Sequence, residues 1–160
     1  MGAETHYLNA MEALDEGDRE RAKTEAKKAT SIDAEHYEAW SIYIEACLPP
    51  AGIQPTMAEA AQALSAVKRV VAGDPSRMDM WMRGGRLLAD ELGMLHDALH
   101  WWQRCREHAP DEVMPVVEMA SILADMGEYA QAQQRLQSIL NDNMDVGIIQ
   151  YRKITGLLQL

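Results

Sequence analysis

A glycine followed five residues later by an alanine recurs along the chain at one period, and that recurrence narrows the fold more than any other feature. Gly93 precedes Ala98 by five residues and Pro110 by seventeen; Gly127 precedes Ala132 and Met144 by the same intervals, 34 residues further on. Gly17 and Ala22 repeat the step near the start, with Ala34 in the place of Pro110. From Gly17 to Gly93 is 76 residues, two periods of 34 and eight more, so one intervening repeat carries an insertion. It should lie at Leu48–Thr56, where Pro49, Pro50, Gly52 and Pro55 break helices and read as a loop. A period of this length marks stacked supersecondary units, each of which needs its neighbours to bury an apolar face.

The spacing has a physical reading. Gly suits the turn between two antiparallel helices, and Ala one turn into the second helix lets the pair approach closely. Pro then closes the unit by ending one helix and starting the next. Apolar residues recur at helical intervals, as in Trp81, Gly85, Leu88 and Leu92 or Met119, Ile122, Leu123 and Met126. The chain has no Phe and no Asn-Gly or Asp-Gly hairpin signal, so strands are not expected. Thr56 to Glu59 and Ser76 to Asp79 resemble capping boxes and mark two helix starts. Helices are expected at about 4–16, 19–31, 35–47, 57–72, 77–92, 95–108, 113–126, 129–141 and 145–158.

Composition removes several function classes. The formal net charge of −10 argues against nucleic acid and anionic membrane surfaces, because both draw on clustered Lys and Arg. No apolar run approaches the roughly 20 residues that cross a bilayer. Met1–His6 has no basic stretch followed by an apolar run, so it does not read as a secretory signal. Cys47 and Cys105 match no metal-ligand or redox spacing and read as buried thiols in a reducing cytoplasm.

The period, the glycine turns at Gly17, Gly93 and Gly127, the small residues Ala22, Ala98 and Ala132, the closing prolines Pro75 and Pro110, and the aromatic Trp40 and Trp81 together resemble the tetratricopeptide repeat (TPR) family. The resemblance covers nearly all of the chain. It implies an all-α, right-handed superhelical solenoid of about four antiparallel helix pairs and a C-terminal helix, forming a single domain over 1–160. The repeats are read at about 3–36, 37–77 with an insertion near 48–56, 78–112 and 113–146, with the last helix at 147–160. The stretched second repeat, the third repeat one residue too long and the missing Leu-Gly pair depart from the family pattern.

The resemblance further implies that first helices line a concave groove, whose candidates are Tyr7 and Met11, Ser41 and Glu45, Arg83, Arg86 and Asp90, and Val117 and Ser121. Arg83, Arg86 and Asp90 also lie opposite the Trp81, Gly85, Leu88 and Leu92 stripe, which points them away from their own core whatever the family. Two guanidinium groups one turn apart could grip a carboxylate; a solvated face partly paired with Asp90 or neighbouring acids is the plainer reading. The Lys, Asn and Arg carboxylate clamp of some chaperone-binding relatives is not matched at Tyr7, Met11, Ser41 and Glu45.

Other constellations read as structure. His96 and His100 share a helix face, with Asp97 and His108 near, but the Glu of H-E-x-x-H is missing and an exposed face over Trp101 or Trp102 explains them. Met78, Met80 and Met82 alternate and cannot all face inward. Arg19 to Lys28 reads as a solvated outer face. The apolar tail, with Ile149, Ile154, Leu157 and Leu158, either wraps back over the last helix pair or forms a self-association surface.

The expectation is therefore a non-enzymatic scaffold that binds a protein or peptide partner, with no cofactor, metal, nucleic acid or membrane. A small TPR chaperone or assembly factor, shielding a client or forming a homodimer through the tail, stands as the alternative.

Overall fold

The computed structural model describes residues 2–141 and 148–159, the side chains of 148–151 excepted. Among them the chain forms α1 (Ala3–Asp15), α2 (Arg19–Ile32), α3 (Tyr37–Cys47), α4 (Met57–Gly73), α5 (Met78–Arg86), a π-helical turn (Leu87–Glu91), α6 (Leu95–His108), α7 (Met114–Asp125), α8 (Tyr129–Asn141) and α9 (Ile148–Leu158), with no strand. The expected start of the last helix at 145 lies outside the described residues. Two compact units are present, Met1–Leu92 and Gly93–Leu160.

The glycine turns carry the chain reversals. Gly17 and Gly127 follow α1 and α7 with φ of 80° and 83°, a left-handed conformation that costs a side-chain-bearing residue roughly 1–2 kcal/mol. The Gly17 N–H donates to the Leu14 carbonyl and the Asp18 N–H to that of Ala13; Gly127 and Glu128 donate likewise to Ala124 and Leu123. Both are Schellman closures that occupy the last carbonyls of the helix. Asp18 then caps α2, its carboxylate accepting from the Arg21 N–H at 3.1 Å.

In the first unit α1 to α5 pack in sequence, each against the next. Close approach rests on alanine: Ala13 of α1, Ala22 of α2 and Ala46 of α3 meet in one buried cluster, with Leu14 and Ile42 against it. Ile44, Val67, Val70, Trp81, Leu87 and Leu88 supply the bulk of this core. Two indoles clasp the turns between pairs: Trp40 Nε1 donates to the Ala34 carbonyl at 3.0 Å and Trp81 Nε1 to that of Pro75 at 2.8 Å. Each donor sits six residues beyond its acceptor, so one contact is repeated.

The insertion occupies the turn between α3 and α4. Leu48–Thr56 is irregular, with Gly52 at φ 89°, and ends at a capping box in which Thr56 accepts from the Glu59 N–H and Glu59 from the Thr56 N–H. That N–H, with Arg19 second, holds the Glu59 carboxyl below its ordinary range. The second expected box does not form: Arg77 is the N-cap of α5, Ser76 donates to Asp74, and Asp79 pairs with Arg77 at 3.2 Å. The Arg77 bond lowers the Asp79 carboxyl, which is therefore spent on an ion pair instead of the cap.

The helix expected over 77–92 is also not uniform. α5 gives way at Leu87 to a π-turn in which the Leu92 N–H donates to the Leu87 carbonyl at 2.9 Å, five residues back. This absorbs the extra residue of the third repeat inside one turn. Gln54 of the insertion reaches the same turn, donating to Glu91 at 3.4 Å.

In the second unit α7 touches α6, α8 and α9. Trp102, Val117, Met119, Leu136, Ile139 and Ile154 are its large buried side chains. The tail helix is tied down by Lys153 to Glu118 at 2.5 Å and by Gln133 Nε2 to the Leu158 carbonyl at 3.3 Å. No helix among the described residues is long and apolar enough to cross a membrane.

Two outcomes follow for stability. A Cβ at Gly17 would meet nothing within 4 Å, so Gly17→Ala should destabilise by about 1 kcal/mol through backbone strain alone, and Gly17→Asn by less, read by urea unfolding. Deletion of Ala89 should convert the π-turn to α-helix and keep cooperative thermal unfolding, whereas deletion of Val67, which turns buried Val70 and Val71 out of phase in α4, should abolish it.

Candidate binding surface

The first helices of the opening unit are linked in the order α1, α3, α5 by contacts between side chains. His36 ends the approach to α3: its Nδ1 accepts from the Ala39 N–H at 3.1 Å, which leaves Nε2 as the protonated nitrogen of the neutral ring, and Nε2 donates to Glu4 of α1 at 3.1 Å. The Tyr7 ring leans on the imidazole, centroids 4.8 Å apart. Further along, Arg83 of α5 donates to the Glu45 carboxylate of α3. Histidine capping gave no sequence signal, because Ser, Thr, Asp and Asn are the residues that announce an N-cap.

Around these links lie the other expected groove residues of this unit. Met11 is exposed and Tyr7 half-buried; Ser41 is half-buried with its hydroxyl donating to the Tyr37 carbonyl at 3.0 Å. Glu45 and Arg83 serve one another and are not two separate ligand groups. Arg86 is exposed and forms no ion pair among the described residues. The pairing of Arg86 with Asp90, expected from a spacing of four, is not made: Asp90 lies in the π-turn, where the fifth residue and not the fourth returns to the same side.

In the second unit the expectation needs correction. Val117 is 1% exposed, enclosed because α7 has helices on three sides, and offers no binding surface; Ser121 on the same helix is half-buried. Ile154 is fully buried, while Leu157 and Leu158 are half-buried, so the tail packs against its own unit. The Ile149 side chain lies outside those described.

The remaining candidates resolve into ordinary roles. His96 and His100 are exposed on α6 and Trp101 and Trp102 are buried on it. No group of three or more His, Cys, Asp and Glu side chains that could hold a metal occurs among the described residues. Cys47 and Cys105 are buried thiols; burial raises both, Cys105 to about 12, which suppresses the reactive thiolate. Of the methionines at the start of α5, Met80 is buried and Met78 and Met82 are half-buried. Along α2, Arg19 pairs with Glu59, Arg21 with Glu16 and Lys28 with Glu25. His6 bonds Glu25 at 2.6 Å and holds that carboxyl below its ordinary range.

No protein-family model matches the sequence, nor does any curated protein sequence. Solved structures share its fold. A tetratricopeptide repeat protein from Parabacteroides merdae superposes on 98% of this chain with a TM-score of 0.68 and 17% identity, and this chain spans 59% of that protein's length. A thermophilic TPR protein from Thermus thermophilus covers 100% of this chain and is matched over 83% of its own, with a TM-score of 0.64 and 17% identity. YrrB, a TPR protein with an unusual peptide-binding site, covers 86% of this chain and is matched over 67% of its own, with a TM-score of 0.56 and 17% identity. Paired helices, left-handed glycine turns and this structural likeness agree: the chain has the tetratricopeptide-repeat fold.

Proposed function

We propose that this chain is a protein-interaction scaffold without enzymatic activity, which receives a peptide or partner helix on the first-helix face of α1, α3 and α5. The observation that carries this reading is Arg86, an exposed guanidinium without an ion pair among the described residues, on the helix whose other forward-facing arginine, Arg83, is held by Glu45. Arg86 supplies a charge-assisted contact, and exposed Met11 with Leu8 beside it supplies apolar surface on α1. YrrB, built on the same fold, has a peptide-binding site, which supports such a use of the architecture. The burial of both cysteines as thiols supports a reducing compartment such as the cytoplasm. Burial of Ile154 supports a capping role for the tail over self-association through it.

Selection of peptides from a random library against the immobilised chain tests the proposal. The selected peptides should be acidic, and Arg86→Glu should weaken them at least about tenfold, the scale of one charge-assisted hydrogen bond. Equal affinity for both proteins would remove Arg86 and this face from the function. Arg83 and Glu45 are both substantially exposed, so a double-alanine cycle in unfolding should give them a coupling below about 1 kcal/mol.

A further inference from the structure

Away from the first-helix face, α2 and α4 border a cleft of about 580 Å³ whose floor is α3. That volume falls in the range of ligand sites, roughly 300–1,000 Å³. Trp40 and Tyr43 form the floor and meet edge to face at 6.1 Å and 85°. Lys27 and Ser31 line one wall, Ser65 and Arg69 the other. The Trp40 N–H is already engaged by the Ala34 carbonyl, so the cleft offers the ring itself, over which the Arg69 guanidinium lies 5.6 Å from the centroid.

Neither Lys27 nor Arg69 forms an ion pair among the described residues. In a chain with 25 acidic and 15 basic side chains this is no shortage of carboxylates. The second unit has a cleft at the equivalent place, about 380 Å³, between α6 and α8. Val116 stands where Trp40 does, eight residues after the last residue of the preceding helix, and Gln131 stands where Gln62 does, just before a buried alanine. Its walls again carry two cations without ion pairs among the described residues, Arg106 and Arg135. These occupy the repeat positions of Thr30 and Ala66, so they are not copies of Lys27 and Arg69. The repeat accounts for the clefts; it does not account for a cation pair reached from different positions in each.

We infer that the cleft over Trp40 is a second binding site, for an acidic peptide segment of a partner protein. Carboxylates on the segment meet Lys27 and Arg69, and an apolar or aromatic side chain between them rests on the Trp40 ring. The α4 wall runs from Gln62 to Arg69, about 10 Å of helix, which matches about three residues of extended chain and exceeds what a single carboxylate would fill.

The probe is acetyl-Glu-Phe-Glu-amide, titrated into the full chain labelled with nitrogen-15 while the Trp40 indole N–H resonance, identified by its loss in Trp40→Phe, is followed. The expected result is a saturable shift whose affinity falls at least tenfold for acetyl-Gln-Phe-Gln-amide. It should fall as much for the Lys27→Gln/Arg69→Gln variant, whose single substitutions each weaken binding severalfold, and stay unchanged in Arg86→Gln. Saturation by the neutral peptide with equal affinity, no saturable shift at millimolar peptide, or a loss confined to Arg86→Gln would each overturn the inference. The last would assign acidic peptides to the first-helix face alone, whereas failure of Arg86 in the library selection leaves the Trp40 shift intact, so the two readings fail separately.

Discussion

How near the helices of the first unit come to one another is set by alanine. Ala13, Ala22 and Ala46 come from three different helices and share one buried contact, where a methyl group is all the space between backbones. Larger side chains would push the axes toward the upper end of the roughly 8–10 Å usual for packed helices. Because they do not, α1 and α3 lie close enough for Glu4 to meet His36. The second helices then stand on either side of α3 with Trp40 between them. The α1 and α3 part of the first-helix face and the α2 wall of the cleft thus share one spacing.

Much of this was legible from residue type and interval. The Gly-to-Ala step located the turns because only glycine takes φ near 80° without strain, and alanine at the next turn reports close packing directly. Pro49, Pro50, Gly52 and Pro55 located the loop for a similarly local reason. The π-turn left no such mark. Trp81, Gly85 and Leu88 are buried as an α-helical stripe requires, and an added residue among apolar neighbours leaves that pattern intact, so only the half-exposure of Leu92 shows where the count has gone out of phase. The Ser76 to Asp79 signal misled because Asp79 has a competing cation two residues away, and a charged pair outcompetes a cap.

The binding face was read less completely than the fold. Periodicity assigns a side chain to a face of its own helix; it says nothing of what another helix brings opposite. Arg83 met Glu45 from 38 residues away, and Val117 met enough neighbours to lose its surface. Trp40 was recognised as an aromatic of the repeat pattern, but its half-buried ring and the cations beside it depend on three helices at once. His36 and Glu4 were invisible for the same reason.

The loop from Leu48 to Thr56 has a further consequence. The reciprocal bonds of Thr56 and Glu59 define the first turn of α4 from within that helix, so its start does not depend on the length of chain before it. Ala51, Gly52 and Ile53 are exposed, and the nearest tether is the long Gln54–Glu91 contact. Evolution or an engineer could lengthen this segment at its tip, grafting a reporter or an entire second module there, without disturbing the phase of anything downstream.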